Sequence, residues 1–221
     1  MTPDASPAGT WRLVTVDIDG TLTTVHGWKV IADALGRGEQ YAWTQRRFAA
    51  GAIGEDEHLQ NMLAVTEGRT VAEIEAALSA TPRLAGIVEG VRAFHERGCR
   101  VALLTHNPPF VCEWYRRTFG FDDFEGTSGP SVADGIVQPL QVVRADKPSG
   151  LRALLLRHGV SADRVVHVGD GRADVAIFRL VGRGVALNSG LPDVERAADL
   201  ALRATDFRAV VRAVSALGPR P

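Results

Sequence analysis

Cysteine is scarce in this chain of 221 residues, which contains only Cys99 and Cys112. Two thiols cannot form a disulfide framework, and their separation matches no metal-binding motif. We therefore expect both to be reduced and partly buried. Long apolar runs are missing as well, since none approaches the about 20 residues that a membrane-spanning helix needs. We therefore expect no membrane partner.

The chain also has almost no excess of positive or negative charge, because its formal net charge is −1 at pH 7. Without a basic field, the chain has no electrostatic reason to bind nucleic acid or an anionic membrane. The opening stretch MTPDASPAGT is polar and proline-rich, and it lacks the basic and apolar regions of a signal peptide. We interpret residues 1–10 as a flexible N-terminal tail and expect a cytoplasmic protein.

Short apolar runs predict a buried parallel sheet. The predicted strands lie at residues 12–17, 100–105, 164–170, 184–188 and 200–203. Helical patterns separate them, most clearly at residues 86–97, 149–158 and 206–217. Alternating strands and helices are typical of a doubly wound α/β fold. His167 lies inside a predicted strand and is interpreted as a core histidine, and a turn-rich stretch at residues 125–139 is predicted to form a hairpin or a loop.

One segment interrupts this alternation directly after the first strand. Residues 25–82 contain no convincing strand. Their helical patterns lie at residues 28–36, 39–50, 55–66 and 71–79. We therefore predict an α/β core at residues 11–24 and 83–221, with a small helical cap inserted at residues 25–82.

Paired carboxylates stand at the end of the first predicted strand, in the stretch VTVDIDGTLTT. Asp17 and Asp19 repel each other, and loss of water strengthens the repulsion, so the pair needs a cation or a proton. Ligands of open α/β sheets bind beyond the carboxyl ends of the strands. The same edge is expected to hold Thr105, His106, Asn107, Lys147, Asp170 and Asp174. Four carboxylates and one lysine do not balance, so the sequence predicts a divalent cation, and hard oxygen ligands favour Mg²⁺.

These residue types suit phosphoryl transfer. Asp17 as an ionised nucleophile would form an aspartyl-phosphate, and Asp19 would protonate the leaving group and then activate water. Lys147 and Thr105 would hold the phosphoryl oxygens, while Mg²⁺ would neutralise the developing charge.

In order along the chain, DIDGTLT, the threonine of LLTHN, Lys147 and GDGRAD resemble the four motifs of the haloacid dehalogenase superfamily. The cap position and the GDGxxD form resemble its phosphoserine-phosphatase-like branch. The resemblance implies a Rossmann-like core, with Asp17 as nucleophile and Asp19 as acid and base whose backbone carbonyl also reaches the metal. It implies Asp170 as a metal ligand and Asp174 as support for the metal shell.

The chain departs from phosphoserine phosphatases in residues that would contact the substrate. His26 stands where they carry a cap glutamate, and Met62 where they carry an arginine. Those two residues hold the amino and carboxylate groups of phosphoserine, so another small phosphorylated metabolite is expected here. The candidate cap contacts are His26, Trp28 and Met62, and the candidate phosphate contacts are Thr105, His106, Asn107 and Lys147.

Several functions are compatible with these residues. The first is a Mg²⁺-dependent phosphatase, monomeric or homodimeric, that acts on a small phosphorylated metabolite. A phosphotransferase or phosphomutase would use the same aspartyl-phosphate, and the sequence does not separate the two. The third is a non-catalytic regulatory protein on the same fold. The presence of all these groups argues against it, since a site without activity need not keep them.

Overall fold

The computed structural model describes residues 11–140 and 146–218. The predicted tail at residues 1–10 therefore lies outside the described residues. The strands are β1 (Leu13–Val16), β2 (Arg100–Leu104), β3 (Asp123–Glu125), β4 (Val132–Ala133), β5 (Ile136–Val137), β6 (Val165–Gly169), β7 (Arg183–Leu187) and β8 (Leu200–Leu202). The helices are α1 (Gly27–Ala34), α2 (Gly38–Ala49), α3 (Glu55–Leu63), α4 (Val71–Ala80), α5 (Ile87–His95), α6 (Pro109–Phe119), α7 (Lys147–His158), α8 (Arg172–Phe178), α9 (Pro192–Ala197) and α10 (Arg208–Leu217).

Six strands form one sheet in the order β3-β2-β1-β6-β7-β8, and all neighbouring pairs are parallel. This arrangement confirms the predicted doubly wound α/β core, and each predicted strand is present. The sequence pattern does not reveal β3, because this edge strand consists of DFE and is only partly buried. A run so short and polar lacks the apolar signal that marks the central strands.

The remaining strands, β4 and β5, form an antiparallel hairpin. Its tip is Asp134-Gly135, with φ of 50° and 74°, and an Asp-Gly pair with positive φ is the favoured two-residue hairpin turn. This confirms the hairpin predicted for the turn-rich stretch. Main-chain hydrogen bonds of 2.8 Å from Gly68 N–H to the Val137 carbonyl and from Val137 N–H to the Arg69 carbonyl join the hairpin to the chain before α4.

The strand register brings the ends of three central strands to one edge. Val16 of β1 lies opposite Leu103 of β2 on one side and opposite Val168 of β6 on the other. Because these strands are parallel, the residues that follow them project beyond the same edge of the sheet. Those residues include Asp17, Thr105 and Asp170.

Alternation along the strands divides the apolar core between the two faces of the sheet. In β2, Val101 and Leu103 join the larger apolar cluster, which is covered by α5, α6 and α10. Ala102 and Leu104 join a second cluster, which is covered by α7 and α8. Both faces are therefore buried, which is why the central strands are continuous apolar runs in the sequence.

Helices α1 to α4 follow β1 directly, in agreement with the four predicted helical stretches. Their buried face includes Trp28, Ile31, Leu63 and Ile74, each at most 1% exposed, and it continues the larger apolar cluster of the core. These helices follow one another without a strand of the main sheet between them. We therefore propose that residues 25–82 form the predicted cap.

Two expectations from the composition can be compared with the structure. Cys99 and Cys112 are both buried and unpaired, as expected. Among the described residues, the helices are all too short or too polar to reach across a membrane.

One glycine in α5 generates a test of the packing. A Cβ at Gly90 would lie 2.5 Å from Cδ1 of the buried Phe207 ring. Alanine normally stabilises a helix interior by about 1 kcal/mol relative to glycine, but overpacking of a core costs roughly 1–3 kcal/mol. We expect Gly90→Ala to lower the urea midpoint of unfolding, and Phe207→Leu to relieve that loss in the double variant. A Gly90→Ala protein that is more stable than the parent would contradict this packing.

Candidate active site

Asp17 and Asp19 lie where β1 leaves the sheet. The Asp17 N–H still donates to the Val168 carbonyl at 2.9 Å, so the chain follows the sheet up to this residue. It then turns tightly, because the N–H groups of Thr21, Leu22 and Thr23 all point to the Ile18 carbonyl. This turn directs both aspartate side chains into one cavity.

The Asp19 carboxyl is held at both oxygens. Gly27 N–H donates to Oδ1 at 3.0 Å, and the Asn107 side-chain amide donates to Oδ2 at 2.8 Å. Burial raises the pKa of Asp19, although the neighbouring His26 and the Asn107 hydrogen bond act in the opposite direction. A carboxyl with a raised pKa is suited to holding a proton for transfer.

Lys147 is the first residue of α7, and its side chain lines the same cavity at the edge of the sheet. Its ammonium lies 2.5 Å from Asp174 Oδ1 and 3.2 Å from Asp17 Oδ2, and its side chain is 3% exposed. Burial lowers the pKa of Lys147, but the two carboxylates outweigh burial and raise it above its ordinary value. The lysine is therefore a permanent positive charge beside Asp17.

Asp174, in the first turn of α8, is fully buried. Both of its carboxylate oxygens accept hydrogen bonds. Its Oδ1 accepts hydrogen bonds from Lys147 and from His167 Nε2 at 2.9 Å. Its Oδ2 accepts from the N–H groups of Asp170, at 3.0 Å, and Gly171, at 2.9 Å. Burial raises the pKa of Asp174, but Lys147 and His167 overcome this and hold it below its usual range. The sequence groups Asp174 with the metal residues as support for the metal shell, and these contacts favour that supporting role.

His167 is buried beneath this group, in agreement with its interpretation as a core histidine. Its Nδ1 lies 2.9 Å from the Thr15 hydroxyl, its partner in the β1–β6 register. Both ring nitrogens are therefore used, and the ring orients Asp174.

Carboxylate oxygens of Asp17, Asp170 and Asp174 lie within 4.8 Å of one another. Burial and the Asp17 charge raise the pKa of Asp170 to about 7, although Thr21 donates to its Oδ1 at 2.7 Å. Gly20 adopts φ +79° beside it, and a Cβ there would lie 2.2 Å from Asp170 Oδ2. Such a set of hard oxygen donors, crowded and short of positive charge, fits Mg²⁺.

The predicted phosphate contacts lie at the end of β2. Thr105 is 3% exposed, and its hydroxyl oxygen accepts a hydrogen bond of 2.9 Å from the Asn107 amide. His106 lines the cavity, and burial together with the Lys147 charge lowers its pKa. His106 can therefore offer a hydrogen bond to a phosphate at neutral pH, but no charge.

These groups line one cavity of about 630 Å³ between the sheet edge and the helices of the proposed cap. The lining residues from α1 to α3 and the preceding loop are His26, Trp28, Phe48, Glu55, Asp56, His58, Leu59 and Met62. Among the described lining residues, the lysine and arginine side chains are Lys147 and Arg172, and Arg172 donates to Asp193 at 2.8 Å. The cap side of the cavity is therefore aromatic, apolar and acidic, with His26 and His58 as further polar groups.

The three predicted cap contacts differ in how they meet the cavity. His26 is oriented by Tyr41, whose hydroxyl lies 3.0 Å from Nδ1. Met62 is 7% exposed and presents an apolar wall. Trp28 lines the cavity, but its indole N–H donates to Asn107 Oδ1 at 3.0 Å. Its polar atom is thus directed at the protein and not into the cavity.

On the cap side of the cavity, Phe48 stacks on His58 with ring centroids 4.1 Å apart. Sequence reasoning missed two acidic residues of the site, Glu55 and Asp56 at the start of α3, which line the cavity. A helix start rich in acidic residues is ordinarily explained by the helix dipole, so nothing local marked these as cavity residues. The roles of Trp28 and His167 depend on partners distant in sequence.

Comparison with known proteins agrees with this geometry. A family model of haloacid dehalogenase-like hydrolases matches residues 11–182. A phosphoserine phosphatase of Archaeoglobus fulgidus is 25% identical over 183 residues, which are 80% of this chain but only 53% of that protein. A phosphoglycolate phosphatase of Nitrosopumilus maritimus is 25% identical over 228 residues, covering 94% of this chain and 96% of that protein.

A solved structure is similar in fold over almost its whole length. It is described as the phospho-aspartyl intermediate analogue of phosphoserine phosphatase, and it superposes with a TM-score of 0.75 at 20% identity, covering 92% of this chain and 99% of that chain. The predicted superfamily and the predicted enzyme class agree with these matches. Because the family model covers most of the chain, this protein belongs to the haloacid dehalogenase-like hydrolase family, in which it resembles the phosphoserine phosphatases.

Proposed function

We propose that this protein is a Mg²⁺-dependent phosphatase that hydrolyses a small-molecule phosphate monoester through an aspartyl-phosphate on Asp17. The observation that carries the proposal is the pairing of Asp17 with the buried Lys147 ammonium, 3.2 Å away, beside the protonatable Asp19. A nucleophile, a phosphate-binding cation and an acid therefore open into one cavity. The similar structure of a phosphoserine phosphatase with a phospho-aspartyl intermediate analogue supports the same chemistry.

The first half of the reaction forms a bond from an Asp17 carboxylate oxygen to phosphorus. The ester P–O bond breaks, and the leaving oxygen takes the proton that Asp19 holds. Lys147 and the Thr105 hydroxyl bind the phosphoryl oxygens during this transfer. In the second half Asp19 removes a proton from water, the water oxygen attacks phosphorus, and release of phosphate restores the Asp17 carboxylate.

The residues that would hold Mg²⁺ are the carboxylates of Asp17 and Asp170 and the backbone carbonyl of Asp19. When bound, the ion would neutralise negative charge on the phosphoryl group. Asp174 supports this site from behind, because it fixes Lys147 and the N–H groups of Asp170 and Gly171.

The substrate that we propose carries no carboxylate on its leaving group. A carboxylate on the cap side of the cavity would face Glu55 and Asp56, with no lysine or arginine among the described lining residues on that side. Met62 occupies the place where phosphoserine phosphatases carry an arginine, and it offers only an apolar surface. Glu55 and Asp56 are exposed, so water and salt weaken their repulsion. Like charges still repel, and phosphoserine and phosphoglycolate are therefore disfavoured.

The first prediction concerns the nucleophile. We expect Asp17→Asn to lower phosphate release by about a thousandfold or more, because the amide cannot form the covalent intermediate. The measurement is free phosphate released from 4-nitrophenyl phosphate and from a panel of metabolite phosphates, with Mg²⁺ or with EDTA. The control is Asp33→Asn, which alters an exposed aspartate of α1 paired with Lys29.

Full activity of Asp17→Asn would refute the mechanism. Consumption of substrate without free phosphate would instead identify a phosphotransferase or phosphomutase.

The second prediction concerns pH. The pKa of Asp170 is raised from 3.8 to about 7, so the folded protein binds a proton there that the unfolded chain has lost. That group's contribution to stability therefore falls as pH rises from about 4 to about 7. Mg²⁺ needs the ionised carboxylate, so we expect the increase in unfolding temperature caused by Mg²⁺ to grow between about pH 5.5 and about pH 8.

Asp170→Asn should remove most of this pH-dependent response to Mg²⁺. Asp163→Asn alters an exposed aspartate before the other end of β6 and should retain the response. An equal Mg²⁺ effect at both pH values in the parent protein would contradict the assignment.

The third prediction concerns the leaving group. Phosphoethanolamine is phosphoserine without its carboxylate, so we expect its kcat/KM to be larger by about tenfold, or about 1.4 kcal/mol. Met62→Arg would supply a cation on the cap side and should shift the ratio toward phosphoserine. Neutralising Glu55 and Asp56 together should do the same to a smaller degree.

The matched control is Glu57→Gln, which removes a charge from the same helix turn but does not line the cavity. A parent protein that prefers phosphoserine would overturn the proposed substrate class and leave the phosphatase chemistry standing.

A further inference from the structure

Asn107 connects the proposed cap to the acid of the reaction. It follows β2, it is 3% exposed, and its side chain contacts three other side chains. The Trp28 indole N–H donates to its Oδ1 at 3.0 Å. Its Nδ2 donates to Asp19 Oδ2 at 2.8 Å and to the Thr105 hydroxyl oxygen at 2.9 Å. The amide thus lies at the centre of a buried network.

Trp28 decides which way this amide points. The two ends of an asparagine amide have nearly the same shape, so hydrogen bonds determine the orientation. An indole N–H can only donate, and it therefore selects the amide oxygen. The NH₂ group is left to face Asp19. Without the indole N–H the amide loses the donor to its oxygen, and only the contacts of its NH₂ group with Asp19 and Thr105 still favour this orientation. A turned amide would place an oxygen against the Asp19 carboxyl.

The other Asp19 oxygen is fixed by the same helix start. Gly27 N–H donates to Oδ1 at 3.0 Å, and a Cβ at Gly27 would lie 2.6 Å from that oxygen. Both supports of the acid therefore come from the first residues of α1. Gly27 acts directly, and Trp28 acts through Asn107.

We propose that Trp28 and Asn107 are positioning residues that hold the Asp19 carboxyl in the orientation from which it protonates the leaving oxygen. Trp28 therefore contributes to proton transfer by Asp19 and is not primarily a substrate contact. The inference rests on the proposed role of Asp19 as general acid. In the step itself the proton passes from the Asp19 carboxyl to the ester oxygen as the P–O bond breaks, and Asn107 neither gains nor loses a proton.

This role predicts a selective defect. A misplaced acid slows esters whose leaving group needs a proton and affects good leaving groups less, because general acid catalysis contributes about 10²–10⁴-fold only where it is needed. Phenyl phosphate releases a phenol with a pKa of about 10, like that of tyrosine. 4-Nitrophenyl phosphate has nearly the same shape and a much better leaving group. The ratio of their kcat values therefore reports on the acid.

The test is Trp28→Phe, which keeps an aromatic ring and removes the indole N–H. We expect kcat for phenyl phosphate to fall about tenfold or more relative to kcat for 4-nitrophenyl phosphate. Asn107→Leu removes the amide that donates to Asp19 and should show the same selective loss. The matched control is Trp114→Phe, which changes another buried tryptophan, in α6, outside the cavity.

Each outcome bears on the proposal. A selective loss in both variants, absent from Trp114→Phe, supports it. A folded Trp28→Phe protein without that loss overturns the role of Trp28. Equal losses for both esters would overturn it and leave a purely structural role. Because Asn107→Leu probes the same hydrogen bond to Asp19, failure of Trp28→Phe to fold leaves the test intact. Failure of the proposed function is recognised separately, since the parent protein would then release no phosphate or would not need Asp17.

Discussion

The balance of charge at the carboxyl edge of the sheet is the constraint on which the site depends. The parallel register of β1 and β6 forces Asp17 and Asp170 together, and α8 adds Asp174, with Lys147 as the cation among them. One ammonium cannot neutralise three carboxylates that lie so close together. The structure divides the charge unequally: Asp174 is bound tightly to Lys147, while burial and Asp17 raise the pKa of Asp170. What remains is a site that the proposed divalent cation would complete.

The helices after β1 complete the site from the other side. The start of α1 supplies the backbone donor to Asp19 and the indole that orients Asn107. The helices α2 and α3 supply an aromatic and acidic wall of the cavity. In the proposed function, the sheet edge would hold the phosphate, whereas the helices after β1 would orient the acid and select the substrate. Such a division would explain how one fold can serve different phosphate esters.

Much of the fold could be predicted from local pattern. Buried central strands are continuous apolar runs, and the Asp134-Gly135 turn marks the hairpin, so these elements follow from short stretches of sequence. β3 escaped because three partly buried residues at an edge carry too little pattern. The candidate residues of the site could be named for a related reason. Apart from Met62, near the end of α3, each stands at a strand end or a helix start, and the topology of such folds brings these positions together.

What the sequence by itself determined is the alternation of central strands and helices, the helical stretch after β1 and the chemical groups at the sheet edge, because periodicity and turn chemistry act over a few residues. The tertiary structure alone decided how those groups pair. Trp28 meets Asn107 across 79 residues of sequence, and Asn107 meets Asp19 across 88. Asp174 is enclosed by His167 and Lys147, which local pattern cannot reveal. A hydrogen bond depends on distances of a few ångströms, and only the packed fold sets such distances between remote residues.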